Sequence, residues 1–133
     1  MKWTYAILGT VLTISAAAVF THRERILLSG AFHSVAHKGT GEARVVESAD
    51  GQRILRLAGV KTYPGTDLQV CLVGAPDAED NDTVRQAGFE CVGKFAATGS
   101  YDLPAGVDLQ RYRAVTIWSS GYQVNFTTAP LTR

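Results

Sequence analysis

The stretch that most limits what this chain can fold into is the first one, because from Trp3 to Thr21 no residue is charged. Ile7, Leu8, Val11, Leu12, Ile14, Val19 and Phe20 supply apolar surface, and Thr and Ser are its polar members. A helix of roughly 20 residues at ~1.5 Å each crosses a hydrocarbon layer of ~30 Å, so the stretch is just long enough to span a membrane. Trp3, Ile7, Gly9, Leu12, Ala16 and Phe20 mark this expected anchor, and Gly9 with Ala16-Ala17-Ala18 offers a smooth face to a neighbouring helix. A cleaved signal peptide is the alternative, with Lys2 as its positive region and Ala16-x-Ala18 as its cleavage site. On the anchor reading residues 1–28 form anchor and juxtamembrane segment, and on either reading residues 29–133 are left to build one domain with a modest core.

That domain reads as all β. Ala43 to Glu47 and Gln52 to Ala58 flank Asp50-Gly51, a pair suited to a tight hairpin. Leu68, Val70 and Leu72 alternate with Gln69, Cys71 and Val73, which is the period of a strand. Phe89 to Phe95, Ala114 to Trp118 and Tyr122 to Thr127 give three more strands. Pro64-Gly65, Ala75-Pro76-Asp77 and Leu103-Pro104-Ala105-Gly106 punctuate them, and Asp108 is placed to cap a single turn through Tyr112. The expected architecture is an antiparallel β-sandwich preceded by one transmembrane helix.

Cys71 and Cys91 are the chain's two cysteines. If Leu68, Val70 and Leu72 face the core, Cys71 faces the other side of its strand. A disulfide closing a loop of about twenty residues stabilises by roughly 3 kcal/mol on the chain-entropy estimate and suits an oxidising compartment. Two unpaired buried thiols, or a redox-active or metal-binding pair, are the alternatives, though there is no CxxC spacing to favour the last.

Other chemistry-bearing residues are sparse. His33 and His37 are candidate ligands for copper or haem iron, but in extended backbone a spacing of four separates them by about 13 Å. The run Pro76-Asp77-Ala78-Glu79-Asp80-Asn81-Asp82 suggests calcium, which needs several oxygen ligands. Its order argues against a helix-loop-helix site, since Thr83 stands where the sharp-turn glycine belongs and Gly88 where the last glutamate belongs. A solvated loop with Asp82 capping a turn through Gln86 is the plainer expectation, and docking of a basic partner is its alternative use. Trp118, Tyr122 and Phe126 are spaced as core or half-exposed strand aromatics, with a ligand platform as the other option.

Several function classes drop out. Thirteen basic against 12 acidic residues make no broad basic field, so nucleic acid is not an expected partner. Ser119-Ser120-Gly121 lacks the glycine pattern of a nucleophile elbow. No phosphate loop, zinc pair or carboxylate dyad is legible, so no enzyme activity is expected.

The segment Tyr101 to Leu131, YDLPAGVDLQRYRAVTIWSSGYQVNFTTAPL, resembles the end of the DM-thirteen domain, an extracytoplasmic β-module. Gly30-Ala31-Phe32-His33, then His37, Gly39 and Gly41, are similar to that family's opening strand and turn. Ala43 to Glu47, Arg53 to Leu57 and Gly65 to Val73 follow in the family's order. The resemblance implies an all-β fold, a location outside the cytoplasm and a role in electron transfer attributed to a near-invariant cysteine. Ser119 occupies that cysteine's position, which puts the thiol-based role in doubt. His37 falls at the family's histidine position.

Counting only Lys and Arg, Lys2 against Arg23 and Arg25 slightly favours the opposite orientation. The resemblance and the cysteine pair instead favour an inner-membrane, single-pass protein with its C-terminal domain in the periplasm or outside. The functional expectation is a non-catalytic accessory subunit docked on a membrane electron-transfer complex, respiratory or photosynthetic, with the lipid bilayer and a membrane-protein complex as partners. A redox or cofactor-binding module is the alternative. No cofactor is expected, with haem or copper left open.

Overall fold

A computed structural model describes residues 24–133. The anchor expected at Trp3, Ile7, Gly9, Leu12, Ala16 and Phe20 lies outside the described residues. Among those described, no helix is long and apolar enough to cross a membrane.

Nine strands and one short helix follow in order among the described residues: β1 (Arg25–Ala31), β2 (His33–Ser34), β3 (Gly39–Glu47), β4 (Arg53–Thr62), β5 (Leu68–Val73), α1 (Asn81–Ala87), β6 (Phe89–Lys94), β7 (Gly99–Asp102), β8 (Ala114–Ser119) and β9 (Val124–Pro130). They form two antiparallel sheets, a four-stranded one in the order β1-β3-β4-β7 and a five-stranded one in the order β2-β9-β8-β5-β6. The sheets face each other as a sandwich, as the alternating segments predict.

The core lies between them. Val45, Leu55, Leu57 and Val60 come from one sheet, and Val70, Leu72, Val115, Ile117 and Phe126 from the other. Two-residue periodicity turns Cys71 and Val73 to the outer face of the five-stranded sheet. They are buried there too, because α1 lays Val84 over them beside Ala78, Ala114 and Trp118. This second cover explains why every residue of β8 is buried instead of every other one.

The β3–β4 hairpin turns as expected at Asp50-Gly51. Gly51 takes φ +88°, a left-handed conformation that a side chain disfavours, and its N–H donates to the Ser48 carbonyl at 2.9 Å. Beyond the hairpin, the far ends of the two sheets converge at Gly39. A Cβ there would lie 1.9 Å from Thr127 Oγ1, so only glycine lets β3 approach β9 this closely.

Four local readings are corrected. The first strand starts at Arg25, within the part of residues 1–28 expected as juxtamembrane segment, because Arg25 to Ala31 pair with β3 from Glu47 to Glu42. Gly99–Asp102 forms an edge strand on β4 that no hydrophobic alternation announces. The last strand is Val124–Pro130 instead of Tyr122 to Thr127, since Tyr122 and Gln123 belong to the preceding turn, where Gln123 has φ +55°. The helix is capped by Asp80, whose carboxylate accepts from the Thr83 N–H at 2.7 Å, while Asp82 sits in the first turn and pairs with Arg85.

Candidate functional site

The sandwich has two ends. One carries the start of β1 at Arg25 and the β3–β4 hairpin, and the other carries the end of β8 and the chain from His37 to Thr40. Ser119 closes β8 at this second end, opposite Leu68 on β5 and Val124 on β9. Both neighbours pack on the core between the sheets, so Ser119 faces inward while Trp118 faces outward. Ser119 is only 1% exposed, and its hydroxyl has no hydrogen-bond partner among the described residues. A buried hydroxyl in that state costs about 1–3 kcal/mol of lost hydration.

The aromatic residues near this end are ordered by a histidine. The His37 ring lies flat against Tyr63, with centroids 4.8 Å apart and planes 11° from parallel, and it tilts against Phe126 at 4.2 Å. Backbone bonds hold it there, since the His37 N–H donates to the Phe126 carbonyl at 3.1 Å. Phe126 is buried and Tyr63 is 62% exposed, so the three rings run from the core to the surface.

His33 does not join them. Its Nε2 meets Asp77 Oδ1 at 2.7 Å and its Nδ1 meets the Ser34 carbonyl at 3.1 Å. Burial of the ring works against the proton, but the Asp77 hydrogen bond, the Ser34 carbonyl and the nearby Glu79 charge outweigh it, so the His33 pKa is raised above 6.5. The two histidines proposed as ligands are thus committed separately, one to a carboxylate and one to an aromatic stack.

Cys71 and Cys91 are opposite each other on β5 and β6 and joined in a disulfide. They are the only cysteines in the sequence, so the oxidised chain carries no thiol. A soft metal site mixing histidine with thiolate has no ligands to form from, and Ser119 offers only a neutral hydroxyl in place of sulfur. Among the described residues no three His, Cys, Asp or Glu side chains gather to hold a metal.

One constellation that sequence reasoning missed lies on the outer face of the five-stranded sheet. The Asn125 carbonyl oxygen accepts from Thr116 Oγ1 at 2.7 Å and Thr128 Oγ1 at 2.9 Å, while its amide donates to the Ala78 and Asp80 carbonyls. The Asn125 backbone N–H donates to Asn81 Oδ1 at 2.8 Å. These bonds fasten the acidic loop and α1 to β8 and β9. The loop's carboxylates are consequently dispersed: Asp77 to His33, Asp80 to the helix cap, Asp82 to Arg85. Its signal in the sequence was faint, an asparagine among β-branched residues in a strand.

Comparison with known proteins adds one positive finding. The family model described as electron transfer DM13 matches residues 31–131. No curated protein and no solved structure matches the chain significantly.

Proposed function

The chain belongs to the electron transfer DM13 family, and on that premise we propose that it is a member without a working thiol, a membrane-anchored extracytoplasmic β-domain that serves as a non-catalytic accessory subunit of a membrane electron-transfer complex. The observation that carries this reading is the pairing of Cys71 with Cys91 while Ser119 occupies the position that resembles the family's cysteine. With both sulfurs bonded to each other on the outer face, thiol-based transfer from the inward-facing Ser119 position has no sulfur to use. What the family scaffold retains is a rigid surface. A disulfide that persists suits an oxidising compartment, which supports a domain outside the cytoplasm. The uncharged run from Trp3 to Thr21 supports the anchor.

The test is extraction of the protein in gentle detergent followed by identification of what co-purifies. A stable assembly containing redox-active membrane proteins supports the subunit, and a monomer that elutes alone removes it.

One observation favours the second reading, an electron carrier. The Phe126, His37 and Tyr63 rings make a contiguous path from core to surface. Voltammetry of the chain incubated with haem or with copper distinguishes the two readings, since a cofactor-binding carrier gives a reversible wave shifted from that of the free group and a scaffold gives none.

A further inference from the structure

Arginines and lysines are treated differently in this domain. Most arginines are engaged internally: Arg25 with Glu47, Arg44 with Glu42, Arg56 with Glu24 and Arg85 with Asp82, while Arg53 donates to the carbonyls of Ala105 and Val107. The domain's lysines, Lys38, Lys61 and Lys94, form no ion pair among the described residues, and residues 1–23 contain no Asp or Glu that could serve them. All three stand at the end opposite Arg25, as the pairing of Thr40 with Lys61 and of Gln69 with Lys94 shows.

Two of these lysines share a cleft. Lys38, Thr40, Lys61, Thr62, Tyr63 and Pro64 line an open hollow of about 360 Å³. Thr40 and Lys61 are cross-strand partners, and Lys38, just ahead of β3, lines the same cleft with them. Elsewhere in this sheet cross-strand basic residues each find an acid: Arg25 faces Glu47, and the facing pair Arg44 and Arg56 are served by Glu42 and Glu24. Here the lining carries no carboxylate. Beside the lysines, Tyr63 and Pro64 contribute apolar surface, and stacking on His37 fixes the Tyr63 ring instead of leaving it to swing.

We propose that this cleft binds a small organic anion, a phosphate or carboxylate carried on a flat apolar body. The anion neutralises Lys38 and Lys61 and accepts from the Thr40 hydroxyl, while the flat body packs against Tyr63 and Pro64. The proposal stands apart from the accessory-subunit reading, because it needs neither the anchor nor a partner protein.

Amide NMR of the isotope-labelled full chain in an uncharged detergent tests it, with phenyl phosphate, inorganic phosphate and phenol as three probes. Phenyl phosphate is expected to shift the amides of residues 38–40 and 61–63 saturably and to bind more tightly than either fragment. Lys61→Gln and Lys38→Gln each weaken it by about two- to fivefold, as expected for a partly exposed charge contact, and added salt weakens it further. Both substitutions are at exposed positions, and an unchanged amide spectrum elsewhere shows that the fold is kept. No saturable shift, shifts scattered over the arginine-bearing surface, or binding indifferent to both substitutions would overturn the site. Inorganic phosphate binding as tightly as phenyl phosphate would overturn the contact with the flat body.

Discussion

The helix-covered outer face of the five-stranded sheet and the opposite end of the sandwich both bury hydroxyl-bearing side chains, yet they treat them in contrasting ways. Under α1 and the acidic loop, Thr116, Asn125 and Thr128 bond to one another and to the loop carbonyls. At the far end, the hydroxyls of Thr62 and Ser119 are buried without a partner among the described residues, and Lys38 and Lys61 stand without an acid. A satisfied polar network fastens one arrangement, whereas unpartnered groups in a structure call for a reason beyond folding. The covered face is therefore fastened by its polar network in addition to the core between the sheets, while the far end leaves Thr62 and Ser119 unpaired beside Thr127, whose hydroxyl donates to the His33 carbonyl.

That contrast can be broken in several ways, and the largest effect is expected at the disulfide. Replacing both Cys71 and Cys91 with alanine removes a crosslink spanning 20 residues and lowers the unfolding free energy by about 3 kcal/mol, measurable by urea denaturation. A loss under about 1 kcal/mol would mean that the covered face does not carry the stability assigned to it.

Asn125→Ala comes next. It strands the Thr128 hydroxyl and two loop carbonyls and leaves Thr116 only its longer bond to the Thr127 carbonyl, for a loss of about 2 kcal/mol, with faster amide exchange in α1 as the local sign. An unchanged exchange rate in α1 would detach the helix from the network.

A smaller effect follows pH. The pKa of His33 is raised in the folded protein, so its protonated form binds the native state preferentially. The stability this contributes is fully present below the unfolded value near 6.5 and is lost as pH rises through the higher folded value. Denaturation midpoints between pH 6 and 8 should fall as pH rises, and Asp77→Asn should flatten that slope. A slope that survives Asp77→Asn would assign the effect elsewhere.

The smallest effect sharpens the comparison most. Ser119→Ala removes a buried hydroxyl that has no partner, so stability stays level or rises by up to about 1 kcal/mol. A clear loss in the same denaturation assay would show that the hydroxyl has a structural bond and that the two regions are alike.

Much of the fold was legible because strand alternation and turn residues are local signals. β4, β5 and β8 fall where Val, Ile and Leu recur every second residue between Gly, Pro and Asp punctuation, and β3 is legible as the other arm of the Asp50-Gly51 hairpin. β1 was hidden because Ile26-Leu27-Leu28 is short, shows no alternation and follows the charged His22-Arg23-Glu24-Arg25 segment beside the uncharged run, so it reads as juxtamembrane chain. Gly99–Asp102 is a strand only because β4 presents a free edge to it. The candidate site was less visible. His33 and His37 stood out as titratable residues, but nothing local says that one meets a carboxylate 44 positions later and the other stacks on Tyr63. The choice of cap was equally hidden, because Asp80 and Asp82 are chemically equivalent candidates and only backbone direction selects the first.

By itself, then, the sequence determined an all-β domain, the side of the strand on which Cys71 lies, the pairing available to the two cysteines and the family to which the chain belongs. Apolar periodicity acts over a few residues, and one cysteine has only the other to bond. Tertiary structure alone decided which hydroxyls are satisfied, which histidine finds an acid and which lysines are left without one. Those outcomes depend on distances of about 3 Å between groups dozens of residues apart, and such distances exist only once the two sheets have closed on each other.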